Sequence, residues 1–255
     1  MHGLNPLIRK ELSGNNKTAI VFGSNGSIGS AIADHLRKNG VRTVGIGRSQ
    51  NTHPSNTYYQ CDLRNEKEIT ELSKIIAKDL GSFHYLILSQ GTQLRKPLLD
   101  VSKTEWDDII NTNLTSNFLI CKYFFPQLVK QNFGRVVGIS SLTSRIGIRN
   151  IAPYAASKGG MEQLLKTLAV ELSEYDITVN TINPGRISTN MTNDLTSNTD
   201  SSSSIISRIP KGRFGKPGDI LSAIDFLLSD SSSYITGQSI IIDGGWMGSG
   251  GNPRT

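Results

Sequence analysis

Thr18–Gly40 leaves this chain the fewest folds to choose from. TAIVFG (18–23) is an unbroken apolar run, as in a strand buried on both faces, and SNGSIGSAIADHLRKNG then turns through glycines into an amphipathic helix ending at Gly40. Glycines at 23, 26 and 29 permit a tight turn and close approach of the backbone to a diphosphate, while the helix N-terminus adds positive potential. Strand, glycine turn and helix in that order make either a phosphate site or simply a turn, and the rest of the chain decides between them.

The unit recurs. VRTVGIGRS (41–49), YYQCDLRN (58–65), FHYLILSQG (83–91), GRVVGISS (134–141), DITVNTINPG (176–185) and QSIIIDGG (238–245) read as further strands. Between them, helical spacing predicts a helix from Glu66 to Lys78. A long helix is expected from Thr104 to Gln131, with Trp106, Ile109, Ile110, Leu114, Phe118 and Phe125 on its apolar side, Pro126 bending its last turn and Gly134 stopping it. Two more helices are expected, one starting at Pro153 and running to about Tyr175, the other over 216–230. This alternation predicts an α/β fold: a single-domain, Rossmann-type, doubly wound parallel sheet of about seven strands with helices on both faces. No internal boundary appears, so 17–248 is expected to be one domain, 1–16 a polar arm broken by Pro6 and Gly14, and 249–255 a tail. Residues 186–204 contain the low-complexity run TSNTDSSSS, expected to be a mobile lid or a surface loop without function.

Ligands on such sheets bind at the carboxyl ends of the strands. That edge collects Gly23–Gly29, Arg48, Gly91, Ser141 and Pro184-Gly185. At the end of the second strand an acidic residue would accept ribose hydroxyls of NAD, whereas Gly47-Arg48 offers a cation that favours a 2′-phosphate and hence NADP(H); a plain surface arginine is the alternative. Asp62 is placed to accept from an adenine amino group, to N-cap the helix starting near Glu66, or both.

Tyr154 and Lys158 are four apart and so share one face of a helix. Lowering a phenol from pKa ~10 to about 7 takes ~4 kcal/mol, which a cation at short range in a dry cleft can supply. With 7 Tyr and 14 Lys in 255 residues, chance alone supplies about 0.4 such spacings, so the pair gains meaning only from its neighbours on the edge, with Ser141 able to hold the oxygen that receives the proton.

Composition excludes several other classes. The net charge of +6 comes from scattered Lys and Arg with no run of five, so no nucleic-acid partner is expected; the excess suits an anionic ligand or simply solubility. Cys61 and Cys121, 60 residues apart in apolar surroundings, read as buried thiols of a reducing compartment rather than a disulfide, and no Cys/His/Asp cluster has metal-ligand spacing. No stretch could span a bilayer, and the first seventeen residues lack a signal-peptide core, so cytoplasmic residence without a membrane partner is the expectation.

Over roughly residues 17–246 the chain resembles the short-chain dehydrogenase/reductase family, in its single-domain branch and with the flavour of the 3-oxoacyl carrier-protein reductases. The resemblance rests on Tyr154-x-x-x-Lys158 with Ser141 thirteen residues before it, on Asn113-Leu114, on the Pro184-Gly185 turn, and on the stretches 213–220 and 235–245. Three departures stand out. Phe22 replaces the family's opening threonine; Ser27 stands where glycine is usual, with an added Gly26; and Ser89-Gln90-Gly91 replaces N-A-G, so that an amide supporting this region is expected to be moved or lost.

The resemblance implies Tyr154 as proton donor to a carbonyl oxygen, or acceptor in reverse. It implies Lys158 as the group that lowers the Tyr154 pKa and binds nicotinamide ribose, Ser141 as hydrogen-bond donor to the substrate oxygen, and Asn113 as holder of a proton-relaying water. It further implies a cofactor site of Gly23, Ser24, Asn25, Ser27, Ile28, Gly29, Arg48, Asp62, Leu63, Ser89, Gly91, Pro184, Gly185, Ile187 and Thr189 together with Tyr154 and Lys158, and no metal. The implied activity is NADP(H)-dependent interconversion of a ketone and a secondary alcohol, 3-oxoacyl thioesters on carrier protein or CoA included. An NAD-linked dehydrogenase and a non-catalytic dinucleotide-binding module are the alternatives. The substrate pocket is expected from 92–97, 142–151 and 186–207, with Arg145, Arg149 and Arg186 either attracting an acidic substrate or merely facing solvent. A homo-oligomer, tetramer or dimer, is expected through the 104–131 and 153–175 helices and through the 217–229 helix with the last strand.

Overall fold

A computed structural model of the chain describes residues 17–50, 57–193 and 199–252. The expected arm over 1–16, part of the expected lid over 194–198 and the end of the tail over 253–255 lie outside the described residues.

The strands are β1 (Thr18–Phe22), β2 (Arg42–Gly47), β3 (Thr57–Gln60), β4 (Tyr85–Leu88), β5 (Gly134–Ile139), β6 (Ile177–Pro184) and β7 (Ser239–Ile242). They form one sheet in the order β3-β2-β1-β4-β5-β6-β7, every pairing parallel. This is the doubly wound sheet the alternation predicts. The α-helices are α1 (Ser27–Lys38), α2 (Glu66–Leu80), α3 (Lys103–Ile110), α4 (Ser116–Gln131), α5 (Ala152–Glu171), α6 (Thr199–Ile206) and α7 (Leu221–Leu228).

Because side chains alternate across a strand, one sheet feeds two cores. Ile20, Phe22, Val44 and Ile46 face a layer with Leu72, Phe124 and Leu165, whereas Ala19, Val21 and Ile87 face Ile32, Leu36, Ile224 and Leu228. Each such fully buried Ile, Leu or Phe contributes about 1.5–3 kcal/mol. The second layer also holds a polar pair: His35 of α1 meets the buried Asp225 of α7 at 2.8 Å.

Four expectations need correction. The cap of α2 is Asn65, whose side chain accepts from the N–H groups of Lys67 and Glu68, while the Asp62 carboxylate is held instead by Arg64. The helix before β5 ends at Asn132, in the left-handed region at φ 52°, and Gly134 already belongs to the strand. The long helix is interrupted by one π-helical turn, Asn111–Thr115; the extra residue shifts the phase of the turns after it, so that Phe118 is left 48% exposed while Leu119 and Ile120 turn inward. Residues 199–206, which take in the end of the expected Ser-rich loop, form helix α6.

Candidate active site

The strand order reverses between β1 and β4, and the loops leaving these two strands open a cleft at their carboxyl ends. Gly23 has φ +73°, and a Cβ at Gly29 would lie 2.2 Å from the carbonyl oxygen of Gly23, so the first turn of α1 can rest against the loop only without a side chain there. The N–H groups of Ser27, Ile28 and Gly29 precede the first helical bond, from Ser30 to Gly26 at 2.8 Å, and border the cleft. Ser27 Oγ accepts from the Asn190 N–H at 3.3 Å, tying the turn at 190–192 to this helix end.

Two residues expected here point elsewhere. Ser24 is buried under β2, where a Cβ at Gly45 would meet its Oγ at 2.6 Å, and its N–H already donates to Ile46. Asn25 donates to Ser49, Gln50 and Tyr58, fastening the glycine loop to the end of β2 rather than lining the cleft. The conformational freedom expected of Gly26 is likewise not used, since its φ is an ordinary −75°.

A groove continues past the glycine turn along Gly47, Arg48, Asp62 and Leu63, and it shares Gly26, Ser89, Gln90 and Gly91 with the main cleft. Hydrogen bonds from Arg64 hold the Asp62 carboxyl below its usual range. Ser89 donates from Oγ to the Phe22 carbonyl at 2.6 Å. The amide missing from the position of Gln90's neighbour is supplied by Gln90 itself: its Nε2 donates to Ser116 Oγ at 3.1 Å and to Asn117 Oδ1 at 2.8 Å.

Asn113, on the π turn, is fully buried. Its Oδ1 accepts from the Thr92 N–H at 2.8 Å, and its Nδ2 donates to the Thr92 carbonyl at 2.8 Å and to Ser157 Oγ at 3.0 Å. The asparagine thereby clamps the loop after β4 to α5. One acceptor site on Oδ1 remains. A Cβ at Gly91 would meet that oxygen at 3.5 Å and Lys158 Nζ at 3.4 Å, so both polar atoms border one small space in front of Gly91.

Tyr154, Lys158 and Ser141 converge on the main cleft. Lys158 is 4% exposed, donates from Nζ to the Ile139 carbonyl at 2.8 Å, and is brought down to about 8 by burial. Its ammonium lies 5.9 Å from the centroid of the Tyr154 ring. The expected acidification of Tyr154 by Lys158 is not what the side chains do here: burial raises the phenol, and the opposing influences are a hydrogen bond with Ser141 and the charge of Arg186. Ser141 Oγ accepts from the N–H and hydroxyl of Thr143, at 3.2 and 3.0 Å, so its own O–H is the donor in the hydrogen bond with the Tyr154 phenol.

Behind Ser141 lies a cluster that sequence reasoning missed. The buried carboxylate of Glu162 accepts from Ser144 at 2.7 Å, Asn183 at 2.8 Å and Lys166 at 3.1 Å, and pairs with Arg145. Ser144 also lies 2.7 Å from the Ser141 carbonyl, so Glu162 fixes the turn that carries the serine. Burial alone would raise this carboxyl, yet hydrogen bonds from Ser144, Asn183, Ser239 and Lys166 bring it to about 2. Glu162 lies eight residues after Tyr154 on α5, two turns along the same face, and that spacing was the available signal. Pro184, Gly185, Ile187 and Thr189 border the cleft where expected, and among the described residues no group of three His, Cys, Asp or Glu could hold a metal ion.

Comparison with known proteins agrees with this geometry. A family model described as Enoyl-(Acyl carrier protein) reductase matches residues 23–247. A 3-oxoacyl-[acyl-carrier-protein] reductase of Buchnera aphidicola subsp. Acyrthosiphon pisum is 35% identical over 239 residues, covering 91% of this chain and 97% of the relative. A 2-dehydro-3-deoxy-D-gluconate 5-dehydrogenase of Pseudoalteromonas atlantica is 32% identical over 244 residues, covering 91% and 96%. Among solved structures, a putative NAD(P)-dependent gluconate 5-dehydrogenase of Beutenbergia cavernae, crystallised with NADP at low occupancy, superposes with a TM-score of 0.88 at 29% identity, covering 93% of this chain and 99% of that one. On the match along nearly its whole length, the chain belongs to the short-chain dehydrogenase/reductase family of oxidoreductases.

Proposed function

We propose that the protein is an NADP(H)-dependent carbonyl reductase, interconverting a ketone and a secondary alcohol, with Tyr154, Ser141, Lys158 and Asn113 as its working set. The observation that carries this is the convergence of a phenol, the serine hydroxyl hydrogen-bonded to it and a buried ammonium on the cleft where the strand order reverses. The cleft suits a dinucleotide on its own evidence: a backbone cradle that a Cβ at Gly29 would fill, a helix end with unbonded N–H groups, and a groove continuing to Arg48. Ser27, Ile28 and Gly29 would hold the diphosphate. Arg48, Asp62 and Leu63 would hold the adenosine end, with Arg48 on a 2′-phosphate, and Ser89, Gly91, Pro184, Gly185, Ile187 and Thr189 the nicotinamide half. When bound, the reduced nicotinamide supplies hydride.

The residues do the rest. A phenol raised by burial is protonated at neutral pH, the state that reduction needs, and Tyr154 passes this proton to the developing alkoxide while Ser141 donates a hydrogen bond to the same oxygen. Lys158 and Asn113 border the space in front of Gly91 from which a water can replace that proton. The substrate is a small carbonyl or alcohol compound, thioesters on a carrier included. The buried free thiols at 61 and 121 suit a cytoplasmic enzyme, and exposed apolar side chains on two faces suit a homo-oligomer. No helix among the described residues is long and apolar enough to cross a membrane.

The test is steady-state consumption of NADPH with a panel of ketones and 3-oxoacyl thioesters. We expect turnover that Tyr154→Phe lowers by at least about a thousandfold while NADPH still binds. Binding of NADPH without turnover across the panel would instead support a non-catalytic module.

A further inference from the structure

Gln90 stands where the main cleft and the groove beyond it meet, and it is 7% exposed. Its backbone is pressed against the glycine loop: a Cβ at Gly23 would lie 2.6 Å from the Gln90 nitrogen. Its side chain reaches instead to the start of α4, just past the π turn that carries Asn113, where Nε2 donates to Ser116 Oγ at 3.1 Å and to Asn117 Oδ1 at 2.8 Å. Both acceptors pass the contact on. Ser116 Oγ donates to the Thr112 carbonyl at 2.7 Å, and Asn117 Nδ2 donates to the Asn113 carbonyl at 2.6 Å. With the Ser116 proton and the Asn117 amide nitrogen used there, each of these residues turns an acceptor to Gln90, which fixes the end of the Gln90 amide that carries its nitrogen. Gln90 Oε1 is buried without a hydrogen-bond partner among the described residues, so two donated bonds hold the side chain. A π turn is an uncommon distortion of the helical ladder, and here the carbonyls of two of its five residues are held by this buried network.

We infer that Gln90 is a positioning residue for the proton relay: acting through Asn117, it sets the π turn so that the Asn113 side chain meets Thr92 and keeps an acceptor site on the space in front of Gly91. The inference rests on the reading of the cleft as a carbonyl-reducing site and adds the residue that keeps its relay in place. Gln90 governs proton supply and not cofactor affinity. The glycine loop meets the Gln90 backbone, which a substitution leaves where it is, whereas the π turn is reached by the side chain.

The test is a cycle of Gln90→Met, Asn117→Leu and the two together, each measured for thermal midpoint, NADPH affinity and ketone reduction. Either single change leaves a buried polar group unmatched and lowers the midpoint, whereas the double change replaces both partners by apolar side chains of similar shape and recovers most of it. We expect kcat at about a tenth of the parent's in all three variants, the two losses not adding because both residues act along one path. The ketone KM and the NADPH affinity stay unchanged, and the solvent deuterium isotope effect on kcat becomes larger than the parent's as proton supply limits the rate. A kcat that recovers with the midpoint in the double variant, or NADPH affinity falling in step with kcat, would show a merely structural role and overturn the proposal. The second readout is amide exchange at Thr92, whose N–H donates to Asn113 Oδ1; it quickens by at least about tenfold in all three variants while the amides of β4 keep their rates. An unchanged Thr92 rate overturns the proposal as well. Should a single variant fail to fold, the double variant carries both readouts. If the parent turns over no ketone, the proposed reaction fails, and the Thr92 rates alone decide whether Gln90 holds Asn113.

Discussion

Lys158 is held in a place that costs the protein stability. Burial brings its amine to about 8, far below an ordinary lysine, while the Ile139 carbonyl is the neutral acceptor it has been given. In the unfolded chain the amine keeps its proton to a much higher pH, so between about 8 and 10.5 the unfolded state binds more protons and stability rises with pH; below 8 the folded protein carries the full penalty, about 3 kcal/mol. Lys158→Met is therefore expected to raise the thermal midpoint of the ligand-free protein at pH 7, with the gain shrinking towards pH 10, and to abolish turnover. Calorimetry of both proteins across pH 6–10 checks it; an equal or larger gain at pH 10 would show that the ammonium carries no such penalty. A residue kept against stability is one kept for its chemistry.

At the scale of elements, the site is a joint between β5, α5 and β6, pinned by Glu162. Its carboxyl, at about 2 in the folded protein, is depressed from the ordinary value of 4.5, so the stabilisation is present above about 4.5 and is lost as pH falls towards 2. Glu162→Gln keeps the shape but loses the pairing with Arg145 and Lys166 and the charge that Ser144 and Asn183 donate to. We expect a lower thermal midpoint at pH 7, a difference from the parent that closes between pH 5 and 2, and a kcat reduced about tenfold with NADPH affinity unchanged, because Ser141 loses its fixed turn. Fluorescence titration with NADPH beside the kinetics separates this from general damage: a common fall in affinity and kcat would mean that Glu162 only holds the fold.

Much of this scale was legible in the chain. Strand and helix periods locate all seven strands to within a few residues, because both faces of a parallel sheet must be apolar, and the Tyr154–Lys158 spacing places both side chains on one helix face. What the periods could not give was the π turn at Asn113, since one inserted residue changes phase without changing composition, and Phe118 turns outward with it. Nor could spacing say that Lys158 Nζ turns to Ile139 rather than to the phenol, which depends on a carbonyl from another element. Gln90 is the converse case. In the sequence it reads as a lost amide, yet its longer side chain reaches Ser116 and Asn117 and restores the brace.

Among the exposed apolar side chains of the described residues, two groups sit on elements that can meet a second copy of the chain. Phe118 and Val170, the latter 74% exposed, lie on helices α4 and α5 over one face of the sheet, whereas Phe226 of α7 and Ile241 of the edge strand β7 are exposed towards its other end. An edge strand with an exposed isoleucine invites pairing, and a lone chain would manage it with charge or proline. If each patch pairs with the same patch of a second copy, the two define different two-fold axes, and the closed solution that satisfies both is a tetramer with dihedral symmetry. Sedimentation equilibrium is expected to give four copies of the 27.8 kDa chain. Val170→Glu should open one patch and Ile241→Lys the other, each leaving a dimer, and the two together a monomer. A single species of one chain in the unaltered protein would refute the assembly, and a tetramer that survives Ile241→Lys would move its second interface away from β7.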